Sequence, residues 1–160
     1  MTATALPADR IPVIVGVDRA MSLQDGLLTV ASHLLFASAQ VQETAGAADD
    51  GAALKELARL TPAFLAATRG PDGTIWLNEN GELEQAPAFP VQAVDTLGAG
   101  DVFHGAYIYS YLSNPSKGWH EHFKFARAAS TYKIQKLGNE AGLPTLADIA
   151  AVKQEFRAEA

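Results

Sequence analysis

Hydrophobic residues along this chain fall into two alternating patterns. Short runs rich in apolar and β-branched residues, at 12–18, 33–37 and 63–68, read as buried strands. Between the first two, residues 24–32 predict a helix. Between the second and third, a loop over 46–51 leads to Asp50 as the cap of a helix over 52–60, where Leu54, Leu57 and Ala58 share a face. Residues 69–73 are dense in turn signals. Two short extended segments, 74–77 and 82–85, flank Asn78-Glu-Asn-Gly81. Asn80-Gly81 favours positive φ angles, so an antiparallel hairpin is expected there. Pro87 and Pro90 flank an extended stretch. From Ala99 the period becomes helical, with Phe103, Ala106, Tyr107, Ser110 and Tyr111 in phase until Asn114-Pro115 stops the run. Further helices are predicted over 120–136, closed by Gly138, and over 146–157, with Thr145 as the cap.

Strands alternating with helices in the first half imply crossover units. The expected fold is α/β in three layers, a mostly parallel sheet flanked by helices, with the hairpin as an antiparallel addition. Residues 1–11 read as a flexible tail and 12–160 as one domain.

Composition narrows the function. With 48% hydrophobic and 19% charged residues the chain reads as globular. A net charge of −6 argues against nucleic acid or an anionic membrane as the main partner. The absence of cysteine excludes disulfides, thiolate metal sites and a cysteine nucleophile. The longest apolar stretch, 27–39, is broken by Thr29, Ser32, His33 and Ser38 and is too short to cross a bilayer. A soluble, cytoplasmic protein is expected.

The chemistry concentrates in the segment from Val94 to Phe103. Gly98 and Gly100 let the backbone approach a ligand closely. Because a helix begins here, its first amides have no intrahelical partner, and with the positive end of the dipole they form an anion site without Lys or Arg. Asp101 in the first turn can face whatever the anion is bonded to. Donors for a transferred group beside a carboxylate that receives a hydroxyl proton suit phosphoryl transfer. A bare Gly-x-Gly-Asp equally suits a tight turn with Asp101 as a helix cap.

The longer stretch Asp95-Thr-Leu-Gly-Ala-Gly-Asp-Val-Phe-His-Gly-Ala106 closely resembles the C-terminal signature of the ribokinase/PfkB family of carbohydrate kinases. Upstream, Thr68-Arg-Gly-Pro-Asp-Gly73 is similar to that family's nucleotide-side strand and loop. Downstream, Phe125-Ala-Arg-Ala-Ala-Ser130 and Lys136-Leu-Gly138 resemble the helix and loop beside adenine. The resemblance implies a ribokinase-like fold and transfer from ATP, with Mg2+, to a sugar hydroxyl. Gly98, Ala99 and Gly100 then form the anion hole for the γ-phosphate, and Asp101 is the catalytic base. Thr68, Arg69, Gly70, Gly73 and Ser130 lie along the nucleotide. In cation-activated members the position of Asp95 helps hold K+, so here Asp95 either does that or bonds the amides of the turn. The form of the signature looks most like ketohexose and sulfosugar kinases.

The match is to the C-terminal half of the family, so the N-terminal half, with its lid, is expected to be missing. That leaves an apolar sheet edge and predicts a homo-oligomer or association with the missing half. The alternative function is an inactive nucleotide-binding module or truncated fragment that acts through a partner. The family's Asn-x-x-Glu motif, which influences magnesium, is replaced by Ser38-Ala-Gln-Val41. Gln40 or Glu43 could substitute, or these could be polar helix-start residues. The hydroxyl often found at the far side of the cation site is replaced by Gly142. His120 and His122 are expected on the surface, and Trp76 and Trp119 in packing positions. His104 is assigned to shaping the loop, and Arg69 either pairs with phosphate or is solvated.

Overall fold

The computed structural model describes residues 11–157. The tail expected at 1–11 therefore lies, but for Ile11, outside the described residues. Two compact units are present, one formed by residues 1–70 and 74–85, the other by 71–73 and 86–160.

The first unit carries the sheet. Its elements are β1 (Ile14–Val17), a single helical turn α1 (Leu27–Val30), β2 (His33–Ala37), α2 (Ser38–Ala45), α3 (Asp50–Leu57), β3 (Phe64–Thr68) and β4 (Thr74–Leu77), then β5 (Leu83–Ala86) at its end. Strand order follows chain order from β1 to β5. β1, β2 and β3 run parallel, with Leu34 beside Leu65, and β4 returns antiparallel to β3. The central strands show no polar alternation because both faces are covered, as parallel sheets require. Leu34, Phe36, Leu65, Ala67, Ile75 and Leu77 form one face and share a core with Val41, Ala53, Leu54 and Leu57 of α2 and α3. On the opposite face Leu35, Ala66 and Trp76 are equally buried. Trp76 donates from its indole to Glu84, so it is a hairpin packing residue, as the sequence implied.

Several local expectations are corrected. The cap of α3 is Asp49, whose carboxylate accepts from the Ala52 amide. Its neighbour Asp50 turns inward instead and accepts from Ser38 Oγ and Gln42 Nε2, both at 2.8 Å. The helix at 24–32 shrinks to one turn. At the hairpin only Gly81 has positive φ, at 76°. Asn80 needs none, because the Asn78 side chain accepts from the amides of Asn80 and Glu82 and closes the turn.

The second unit is helical: α4 (Ala99–Ser113), α5 (Trp119–Ile134) and α6 (Leu146–Glu155). α6 starts at a full capping box in which Thr145 accepts from the Asp148 amide and Asp148 accepts from Thr145. α5 ends at Ile134 with Gln135 as its C-cap, before the expected closing Gly138. Arg127, buried on α5, donates to the Pro87 carbonyl, and its guanidinium lies 4.0 Å above the Phe89 ring. That pair anchors the proline-flanked extended segment to the helix. His122, expected on the surface, is wholly buried and bonds Ser110 Oγ at 2.9 Å, while His120 is exposed. Burial lowers the His122 pKa below its usual 6.5. Trp119 packs against Tyr111. No helix among the described residues is long and apolar enough to cross a membrane.

Candidate active site

The turn before α4 is built by one carboxylate. Asp95 Oδ1 accepts from the Leu97 amide and Oδ2 from the Gly138 amide, both at 3.0 Å. The main chain is fixed on the other side, where the amides of Val94 and Asp95 both donate to the Ile134 carbonyl. The two amide donations are the main reason the Asp95 carboxyl titrates below its ordinary 3.8; the Lys133 charge adds to them. Lys133 Nζ lies 3.5 Å from Asp95 Oδ2 and 3.4 Å from the Asp95 carbonyl.

Gly98 caps α4 with φ of 77° and no side-chain contribution. A Cβ there would sit in the left-handed region and 3.3 Å from Asn139 Oδ1, so glycine is required. Of the three residues assigned to an anion hole, Ala99 already donates its amide to Thr96 at 3.1 Å. Among the described residues the amides of Gly98, Gly100 and Asp101 have no backbone acceptor. These three donors stand at the positive end of a fifteen-residue helix, where negative charge is favoured.

Asp101 is the third residue of α4 and exposed. One turn on, His104 has its Nε2 buried without a hydrogen-bond partner. Burial lowers its pKa from 6.5, against an opposing pull from the Asp101 charge. A neutral ring beside the turn is the result at physiological pH.

The structure thus brings Asp95, Gly98, Asp101 and His104 together with Lys133, Gly138 and Asn139. Asn139 and the side chain of Lys133, as distinct from the carbonyls near Lys133 to Gly138, were not singled out by the sequence. Ser130, on α5, donates its hydroxyl to the Arg127 carbonyl of its own helix at 3.1 Å. Gly73 has φ of 86°, and a Cβ on it would lie 2.0 Å from the Ala86 carbonyl oxygen. Thr68, Arg69 and Gly70 belong to the first unit. Thr68 Oγ1 donates to the Phe36 carbonyl, Gly70 has φ of 56°, and Arg69 donates to Gln85 at 3.0 Å, so Arg69 is not merely solvated. Residues 38–41 open α2, with Gln40 half-buried and Glu43 exposed. No cluster of three or more His, Asp or Glu residues suited to a metal ion occurs among the described residues. A cleft of about 370 Å³ between α5 and α6 is lined by Tyr132, Lys136, Asp148 and Glu155, at the segment compared above with the neighbourhood of adenine.

Residues 8–146 match the pfkB family carbohydrate kinase profile, and the chain belongs to that family. It is similar to the ribokinase of Lactococcus lactis, with 34% identity over 104 residues, which is 65% of this chain and 34% of that protein. Among solved structures, the ribokinase of Thermotoga maritima superposes with a TM-score of 0.69 at 26% identity, covering 78% of this chain and 43% of that one. The Arabidopsis thaliana ribokinase solved with ribose and ATP gives 0.80 at 22% identity, covering 89% and 47%. The fold is ribokinase-like. The chain spans between about a third and a half of the length of these relatives.

Proposed function

We propose that this chain carries the phosphoryl-transfer end of an ATP-dependent sugar kinase, with residues 12–160 as its C-terminal catalytic half. The observation that carries the reading is the juxtaposition at the start of α4. Amides of Gly98 and Gly100, without backbone acceptors, stand at the start of a helix whose first turn carries the exposed Asp101.

In this reading the α4 amides receive the γ-phosphate oxygens and stabilise the charge that spreads over them in transfer. Asp101 takes the proton from the attacking sugar hydroxyl at its carboxylate oxygen. His104, neutral, packs the turn without competing for the anion. Thr68, Arg69, Gly70, Gly73 and Ser130 serve the nucleotide. ATP would bring Mg2+ held by its phosphates and water. The acceptor is a ketohexose or sulfosugar, a reading supported by the form of the signature alone.

A second reading, a nucleotide-binding module that acts through a partner, is favoured by one fact: the chain spans about a third of the Lactococcus relative. Calorimetric titration with ATP, followed by a phosphorylation assay over a sugar panel, separates them. Binding with turnover supports the kinase. Binding without turnover, also after an N-terminal half is supplied, supports the module. No ATP binding at all contradicts both.

A further inference from the structure

The residues around Asp95 do not fit a bound monovalent cation, because a side chain of the protein already stands there. Lys133 is 1% exposed, and its ammonium lies 3.5 Å from the carboxylate and 3.4 Å from the main-chain carbonyl of Asp95. These are the hard oxygen ligands that a potassium ion would need from this residue. A second positive charge at the same oxygens would meet the ammonium at contact distance, where like charges repel strongly. Nor can the ammonium simply withdraw, since an unpaired charge in a buried position is expensive.

Gly142 shows that the substitution is built in. A Cβ at Gly142 would lie 2.3 Å from Lys133 Cδ and 3.0 Å from Cε. The lysine stem therefore occupies the space that a side chain at 142 would fill. A side chain at 142 and the Lys133 stem therefore exclude one another. The stem also runs under the turn, with Cε 3.9 Å from where a Cβ of Gly98 would be.

We propose that Lys133 is a tethered counter-ion that replaces a monovalent cation beside the anion hole, so that the site works without potassium. Lys133 is then a positioning residue: it neutralises Asp95, whose two carboxylate oxygens hold the amides of Leu97 and Gly138 and so set the turn. The part about catalysis rests on the kinase reading, whereas the occupation of the cation position does not.

The test compares melting temperature and ATP affinity of the 160-residue chain in potassium chloride and in tetramethylammonium chloride at equal ionic strength. Equal values in both salts are expected. A rise of several degrees in potassium, as a bound ligand gives, would overturn the proposal. Lys133→Met and the smaller Lys133→Ser should each be less stable, and each should gain stability in potassium that the parent lacks. Variants as indifferent to potassium as the parent would show that Lys133 is not what excludes the ion. If neither variant folds, the parent comparison decides alone. Lack of ATP binding in both salts would count against the kinase reading and leave the melting comparison to judge the cation position.

Discussion

Lys133 and Asp95 meet across 38 residues of sequence at a separation of 3.5 Å, the lysine at 1% side-chain exposure and the aspartate at 20%. Asp95 precedes the glycine turn of α4 and Lys133 lies in the last turn of α5, so one ion pair ties the start of α4 to its neighbour. The Asp95 carboxylate also accepts two amides, which makes it the hub of the loop.

Gly142→Ala is expected to destabilise the chain by about 1–3 kcal/mol, the usual cost of overpacking. The added methyl falls 2.3 Å from Lys133 Cδ, and Lys133 cannot move without leaving Asp95. Truncating the lysine should relieve it, so Gly142→Ala with Lys133→Ala should be less damaged than the sum of the single variants. Urea denaturation of the four proteins in a double-mutant cycle measures this.

Two glycines of one loop should behave differently. Gly73→Ala is expected to cost at least about 2 kcal/mol, from positive φ and backbone collision together. The colliding group, the Ala86 carbonyl at 2.0 Å, has no rotamer by which to escape. Gly70→Ala also has positive φ but meets nothing within 4 Å. Its cost should stay near about 1 kcal/mol, that of the left-handed conformation. Thermal melts of the two variants provide the comparison.

The α6 capping box makes a pH prediction. Hydrogen bonds from the Thr145 side chain, then from its amide, hold the Asp148 carboxyl below its ordinary 3.8. A carboxyl with a depressed folded-state pKa contributes stability that is fully present above the unfolded value. That contribution is lost as pH falls through the folded value. Asp148→Asn should therefore be less stable than the parent at neutral pH, and the gap should narrow below about pH 4. A gap that widened in acid would contradict the assignment.

The strands and the α4 turn were legible in sequence because each depends on local pattern. β2 was read at its observed residues, since both of its faces are buried and its apolar run is unbroken. α2 shows only Val41 and Thr44 buried among eight residues and follows β2 with no turn residue between, so only its polar opening was visible. The exchange of Asp49 for Asp50 as a cap was decided by a tertiary contact, Asp50 with Ser38 and Gln42, which local propensity does not contain. His122 was misplaced for the same reason: its partner Ser110 lies on another helix. Lys133 was passed over because a lysine in a helix ordinarily points to water. Its signal was faint, a charged residue in phase with the buried Ala126 and Ala129.

Association is expected as well. β1 is an edge strand of the sheet, and Ile11 and Val13 beside it are 90% and 41% exposed. An apolar edge of this kind pairs with another chain or with a covering segment. Sedimentation of the 160-residue chain should show a homo-oligomer, or a one-to-one complex when an N-terminal half is supplied. A stable, concentration-independent monomer in both cases would contradict this.

The most direct test of the central claim is Asp101→Asn in this chain supplied with an N-terminal half. The substitution keeps the shape and removes the proton acceptor. Turnover should fall by about 10²–10⁴-fold, the range for a general base, with ATP affinity nearly unchanged because the α4 amides remain. Near-normal turnover in that variant would contradict the account.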